Sequence, residues 1–385
     1  MTREPRAPSG FDFHGESLDD IFAVYGEMRR DCPVARSDRY GEFWALTRYD
    51  DIHAAERDWQ TYSVQPTMLL PAFGTDRPMI PIDIDPPRHT EYRKVLLPHF
   101  TPERIDRLEV RARQTARELM ADLAGEEVFD ASSRYARPLP TVVFSEHAGF
   151  PTEDAPLFDS WVDQIINART ENELVSRAAA DEVYDYFRRL LSKRRREPTD
   201  EDIISGILSA RIDGRSLDDD ELLDICFLLF VAGLETTAWG IRSSLWYLSQ
   251  APHDRRRLAE NPALIPTAAE EFLRMLSPVQ AMARTLTKDT ELRGVTMRAG
   301  ERVALVFDAG NRDPEKFEDP DTVLIDRAVN PHFAFGIGVH RCIGSNLGRR
   351  ELTVGLEEFL AAVPDFELAE PAPWHGIGPL MLRVI

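Results

Sequence analysis

Apolar positions recur along this chain at the three-and-four spacing of helices far more often than in strict alternation, which predicts a mainly helical protein. Thr101 to Leu123 is one such stretch, opened by Thr101-Pro-Glu as helices often are. Asp181 to Arg196 is another, closing on Lys193-Arg-Arg-Arg196, cations that suit the negative end of a helix. The strongest signal starts at Ser216-Leu-Asp-Asp-Asp-Glu221, with Ser216 as the expected cap, and runs to about Gln250. At 1.5 Å per residue that is one helix on the order of 50 Å long. Its middle, Ile225-Cys-Phe-Leu-Leu-Phe-Val-Ala-Gly-Leu234, is apolar on every side and must run through the interior. The uninterrupted run is about half of the roughly 20 residues that span a bilayer, so it reads as a buried helix centre. Gly233 costs about 1 kcal/mol relative to Ala there. With Glu235, Thr236 and Thr237 it places polar and flexible residues in the driest part of the helix, and these need a reason.

Alternation is confined to short pieces. Glu42 to Thr47 reads as a strand, and Val295 to Phe307 as a hairpin turning at Arg298-Ala-Gly-Glu301. From Asn311 to Phe335 the chain is turn-rich, carrying Asp313-Pro314, Asp319-Pro320 and Asn330-Pro331. No repeat, low-complexity tract or Gly/Ser linker divides the sequence. The expectation is a mainly α protein with a small β region, a single domain over residues 1–385, with residues 1–10 as a flexible N-terminus.

Composition narrows the function. The 46 Lys and Arg against 66 Asp and Glu give a net charge of −20, which excludes a nucleic-acid binder because phosphate contacts need a basic face. The N-terminus lacks the apolar core of a signal peptide or anchor, so the expected location is cytoplasmic, with no membrane partner. The three cysteines, Cys32, Cys226 and Cys342, are too few and too scattered for a disulfide framework. One of them is therefore available for chemistry.

Cys342 stands in Phe335-Gly-Ile-Gly-Val-His-Arg-Cys-Ile-Gly344, directly before the helical stretch Ser345 to Val354. A thiolate is stabilised at a helix N-terminus, and glycines at 336, 338 and 344 let the backbone approach something flat and bulky. Zinc is disfavoured, because a structural site wants four ligands and only His340 is near. A nucleophilic cysteine stays open, although no second motif supplies an activating base. A thiolate bound to haem iron is the remaining option.

Phe335, Gly338, Cys342 and Gly344 match the Phe-x-x-Gly-x-x-x-Cys-x-Gly pattern, and here the chain resembles the cytochromes P450. The resemblance extends from the Pro33-Val34 region to Leu380 and implies that family's single-domain, mainly helical fold. It makes Cys342 the axial thiolate of haem b, the iron protoporphyrin IX cofactor. Ala232-Gly-Leu-Glu-Thr-Thr237 is similar to the family's oxygen-groove motif. On that likeness Thr236 steadies dioxygen, Glu235 relays protons, and Gly233 keeps the helix clear of the haem face. Glu271-Phe-Leu-Arg274 is similar to the family's Glu-x-x-Arg pair, a structural lock between the core and the turn-rich stretch.

The resemblance likewise places His89 and Arg93, four apart on one helix face, with Arg284 and His340, around the two haem propionates. It groups Phe335 with these cofactor contacts. Met68, Leu69, Leu70, Phe73, Met79 and Ile80 fall in a segment resembling the family's substrate lid. Val279, Gln280, Ala281 and Met282, and then Trp374, His375 and Ile377, complete the expected substrate pocket. Its apolar character suggests a small or medium hydrophobic substrate, terpenoid or aromatic. The implied activity is a monooxygenase that activates O2. Lacking a dinucleotide fingerprint or cysteine cluster, the chain must receive electrons from outside, as soluble bacterial relatives do from a ferredoxin and an NAD(P)H-dependent reductase. Arg104, Arg107, Arg111, Arg113, Arg341, Arg349 and Arg350 would form a basic docking face for that ferredoxin. A peroxide-driven peroxygenase and a non-catalytic haem sensor are the competing readings. The intact Glu235-Thr236 pair disfavours both, as does the lack of a signalling domain for the sensor.

Overall fold

The computed structural model of the chain describes residues 5–8, 11–13, 20–198, 202–374, 376 and 378–385. His375 and Ile377, and most of the 1–10 segment expected to be flexible, lie outside the described residues. Residues 5–8 run beside the first strand, where the Ala7 amide donates to Arg36 O at 3.0 Å and the Arg36 amide to Pro5 O at 3.0 Å.

Helices α1 (Ile21–Asp31), α2 (Tyr49–Arg57), α3 (Arg88–Leu96), α4 (Pro102–Asp122) and α5 (Pro138–Ala148) come first. A group made of α6 (Ala155–Val162), α7 (Ala168–Glu171), α8 (Glu173–Arg196) and α9 (Ile203–Ser209) leads to α10 (Asp219–Gly233) and α11 (Glu235–Gln250). The remaining helices are α12 (Pro252–Glu260), α13 (Ile265–Met275), the short α14 (Phe307–Gly310) and α15 (Ser345–Ala362).

Strands β1 (Val34–Ser37), β2 (Phe43–Leu46), β3 (Tyr62–Ser63), β7 (Ala281–Leu286) and β10 (Arg302–Val306) form a five-stranded sheet ordered β1-β2-β10-β7-β3. A three-stranded sheet joins β4 (Val128–Asp130), β11 (Phe366–Leu368) and β12 (Met381–Val384). Two small ribbons pair β5 (Arg211–Ile212) with β6 (Arg215–Ser216), and β8 (Thr290–Leu292) with β9 (Val295–Met297). The mainly α architecture with a small β region is thus as the hydrophobic pattern indicates.

Three local expectations are corrected. The 216–250 helix is two helices, α10 and α11, interrupted at Leu234, where the Thr236 hydroxyl donates to Ala232 O at 3.0 Å and competes with the backbone ladder. Its cap is Asp218 rather than Ser216, which ends β6 instead. Asp218 Oδ1 accepts from the Glu221 amide and Glu221 Oε2 from the Asp218 amide, both at 2.9 Å, a reciprocal capping box. The combined Asp219–Gln250 stretch is long and apolar enough by composition to cross a bilayer, yet most of it is buried within the protein. The 295–307 hairpin does not form, because β9 pairs with β8 while β10 inserts between β2 and β7. The turn at 298–301 is nonetheless present, closed by the Glu301 amide on Arg298 O at 3.1 Å.

The core is layered around α10 and α11. Leu222 to Leu234 packs with α5, α6, α8 and α9 residues such as Phe144, Phe158, Phe187 and Ile204. Ile241, Leu245 and Leu248 of α11 pack with α13, α15 and the three-stranded sheet. Each fully buried side chain of this kind contributes about 1.5–3 kcal/mol. The helix pair therefore runs through the densest part of the molecule, and its break at Leu234 is held there by packing on both sides.

Candidate active site

The loop after the turn-rich stretch is shaped residue by residue. Gly336 and Gly338 adopt φ of +58° and +70°, which favour glycine. The Cys342 amide donates to Phe335 O at 2.9 Å, folding the loop back on itself. Phe335 lies beneath the Arg349 guanidinium, 4.3 Å from ring centre to Cζ, and Arg349 is fixed by Glu270 at 2.7 and 3.1 Å. Cys342 sits just ahead of α15, with the Gly344 amide directed at its sulfur. Surrounding protein pushes the thiol up, while that amide and the charges of Arg93, Arg349 and Arg341 pull it down. The residue Cys342 is nonetheless exposed. Ala232, next to the end of α10 at the helix break, is also exposed.

His89 and His340 meet beside the cysteine loop with ring centres 4.3 Å apart. His89 Nδ1 and both ring nitrogens of His340 are buried without a hydrogen-bond partner among the described residues. Burial, with Arg93 nearby, lowers His89 to about 4. Burial, His89, Arg284 and Arg93 lower His340 to about 2. Arg93 donates to Arg341 O at 2.6 Å, and burial lowers it as well. Unsatisfied buried imidazoles flanked by guanidiniums form a site for an anionic group, because an acid there would supply the missing acceptors and charge. Arg284 bears on His340 and also has a partner within the chain. Its guanidinium is buried in an ion pair with Glu56 and donates to Ala283 O at 2.9 Å.

At the helix break, Glu235 is buried with Oε1 lacking a partner among the described residues. Burial pushes its carboxyl up to about 8, offset in part by Arg137 and reinforced by Asp163 and Asp159. Gly233 is not explained by an open face. A Cβ there would lie 2.3 Å from the Phe144 ring, so the glycine admits an aromatic side chain of α5.

Glu271 and Arg274 are wholly buried and paired through two bonds of 2.8 Å. Arg274 donates to Asn311 O and Pro320 O, each at 2.7 Å, while Glu271 accepts from the Leu324 amide at 2.9 Å and from Arg327 and Asn330 at 3.0 Å. One ion pair thereby ties α13 to the irregular 311–330 segment.

The expected substrate residues do not form one group. Met68 and Met79 are buried, their amides held by the two oxygens of Asp83 at 2.8 and 2.9 Å. Leu69, Phe73 and Met79 pack on the α10 core cluster, Phe73 under the Arg169 guanidinium. Val279 and Met282 pack against the five-stranded sheet, and Gln280 O accepts from the Asp308 amide at 3.2 Å. Trp374 is elsewhere: its ring lies 5.2 Å from Phe22 of α1, beside a hollow lined by Trp246, Tyr247 and Met275.

The arginine face is also altered. Arg111 binds Glu146 at 2.7 and 2.8 Å, Arg113 binds Glu357 and Glu358, and Arg350 binds Glu109 at 2.8 Å. Much of the expected positive patch is neutralised within the chain. Glu351 of α15 was not singled out from the sequence. It is buried, its carboxyl is raised far above the ordinary range by burial, and it is hydrogen-bonded to Thr237. A charge among Leu347, Leu352 and Val354 on one helix face is the signal that marks it.

The family model described as Cytochrome P450 matches residues 163–368. The chain belongs to the cytochrome P450 family. It is 37% identical to the mycinamicin IV hydroxylase/epoxidase of Micromonospora griseorubida over 99% of both chains. It is 36% identical to the nocardicin C N-oxygenase of Nocardia uniformis subsp. tsuyamanensis over 92% of both. Among solved structures it resembles the bacillaene polyketide synthase cytochrome P450 PksS of Bacillus subtilis 168, with TM-score 0.87, 32% identity and coverage of 97% of this chain and 99% of that one. The protein is a P450 monooxygenase, and the family's cofactor is haem b on a cysteine thiolate. The residues present fit that group. Cys342 is exposed, and the partnerless His89 and His340 imidazoles offer what two propionates need.

Proposed function

We propose that this P450 inserts oxygen into a hydrophobic organic substrate of the natural-product kind, with Cys342 as the thiolate ligand. Support comes from two relatives, one named for mycinamicin IV and one for a polyketide synthase. The observation that carries the assignment is the pair of partnerless buried imidazoles beside an exposed cysteine, the donor set for a dianionic, thiolate-bound cofactor.

Each residue then has a task. His89, His340 and Arg93 hold the propionates, and the Gly344 amide orients the sulfur. The cofactor, when bound, supplies oxygen activation, and the thiolate donates electron density that favours O–O cleavage. Glu235, protonated at neutral pH by its burial, would supply a proton and the neighbouring Thr236 hydroxyl would pass it on. Thr236 holds that hydroxyl by donating to Ala232 O. Glu351 of α15, hydrogen-bonded to Thr237, is a second buried acid. Electrons come from a ferredoxin docking near Cys342, where Arg341 is exposed and Arg350, though paired with Glu109, is half-exposed. The protein acts in the cytoplasm.

The deciding experiment is the spectrum of reduced, CO-treated protein. A red-shifted thiolate-type band in the wild type and its loss in Cys342→Ala is expected. A wild-type spectrum without that band would overturn the assignment. Product with hydrogen peroxide but none with NADPH, reductase and ferredoxin would replace the monooxygenase reading with the peroxygenase one.

A further inference from the structure

Glu56 is a charge where the helical pattern asks for an apolar side chain. Along α2 the buried face is Tyr49, Ile52, Ala55 and Glu56, and Glu56 is only 4% exposed. Nothing in the function proposed above uses it. Its two carboxylate oxygens reach two separate parts of the site. One pairs with the buried guanidinium of Arg284 on β7. The other accepts from the Ile337 amide at 3.0 Å, inside the loop that presents Cys342.

The backbone of the same residue completes the contact. A Cβ on Gly338 would stand 2.6 Å from Glu56 O, and one on Gly336 would stand 3.2 Å from Glu56 Oε2. The left-handed glycines of the cysteine loop are thus moulded onto Glu56. A buried carboxylate persists only where it is paired and hydrogen-bonded, and here the two partners are a cofactor-side cation and the ligand loop.

We propose that Glu56 is a positioning residue for the cofactor: it fixes Arg284 and the cysteine loop to each other, and by neutralising Arg284 it holds the reduction potential low. The inference rests on Cys342 being the thiolate ligand and on Arg284 lying at the acidic edge of the cofactor. An uncompensated cation in a poorly solvated interior favours the reduced metal, so loss of the Glu56 charge raises the potential. Loss of the Ile337 anchor frees the ligand loop, as removal of outer-shell partners does at other metal sites.

The test compares wild type, Glu56→Gln and Glu56→Asp by two readouts. One is the reduction potential from spectroelectrochemical titration, the other the rate of haem transfer to excess apomyoglobin. Glu56→Gln is expected to move the potential positive and to speed haem transfer by about tenfold. Glu56→Asp keeps the charge but shortens the reach, so it is expected to retain the wild-type potential while still losing haem faster. Glu56→Gln matching wild type in both readouts would overturn the inference. If that variant does not fold, Glu56→Asp with unchanged haem transfer overturns it instead. Wild-type protein lacking the thiolate-type CO band overturns the proposed function as well, whereas an intact band with unmoved readouts overturns this inference alone.

Discussion

A methyl group at position 233 would overlap the Phe144 ring, and overpacking of that kind costs about 1–3 kcal/mol, more than the helix-propensity gain of about 1 kcal/mol. Gly233→Ala is therefore expected to lower stability to urea, and the same change in a Phe144→Leu background to be neutral or stabilising. Two positions along, Glu235 makes a pH-dependent contribution. Its folded value of about 8 stands above the ordinary 4.5, so the stability tied to its proton is fully present below about pH 4.5 and is lost as pH rises through about 8. Unfolding free energy should fall between about pH 4.5 and 8 in the wild type, level off above that, and fall less in Glu235→Gln. Turnover in that variant should drop by on the order of 10²-fold, measured as product formed per electron consumed. Neither effect is visible in a motif, since both depend on what surrounds the side chain.

At the scale of elements, α13 shows how one pair organises a segment without regular structure. Between Asn311 and Ile337 the described chain has no helix or strand, and its carbonyls and amides converge on Arg274 and Glu271. Breaking a buried pair leaves an uncompensated charge, so Glu271→Gln is expected to cost about 3–5 kcal/mol in urea unfolding. It should also reduce haem retention, because the segment leads directly into the cysteine loop. The α10–α11 pair illustrates a different limit. Its apolar run is legible as a buried helix, but the break at Leu234 and the Asp218 cap depend on side-chain geometry that competing caps and hydroxyls leave open. The strands were less legible still. Val295–Met297 and Arg302–Val306 have the pattern of one hairpin, yet β10 pairs with β2, far away in sequence.

At the scale of the whole molecule, the charge of −20 sets the surface against acidic partners except where cations gather. Internal pairing shrinks the basic face to positions such as Arg341, with Arg350 half-exposed but shared with Glu109. Arg350→Glu is expected to slow reduction by an acidic ferredoxin at low salt, with the difference fading as salt is raised. Stopped-flow reduction rates identical to wild type at all salt concentrations would move the docking face elsewhere.

The sequence by itself determined the helical class, the interior helix and the cysteine loop with its companion motifs, because each is written in local spacing and residue chemistry. The tertiary structure alone decided that Phe144 requires Gly233, that Glu56 claims Arg284, that Trp374 leaves the pocket for Phe22, and that acids neutralise most of the arginine face. Those contacts join residues tens to hundreds of positions apart. Burial and pairing, which set both charge state and packing, exist only once the chain has brought such residues together.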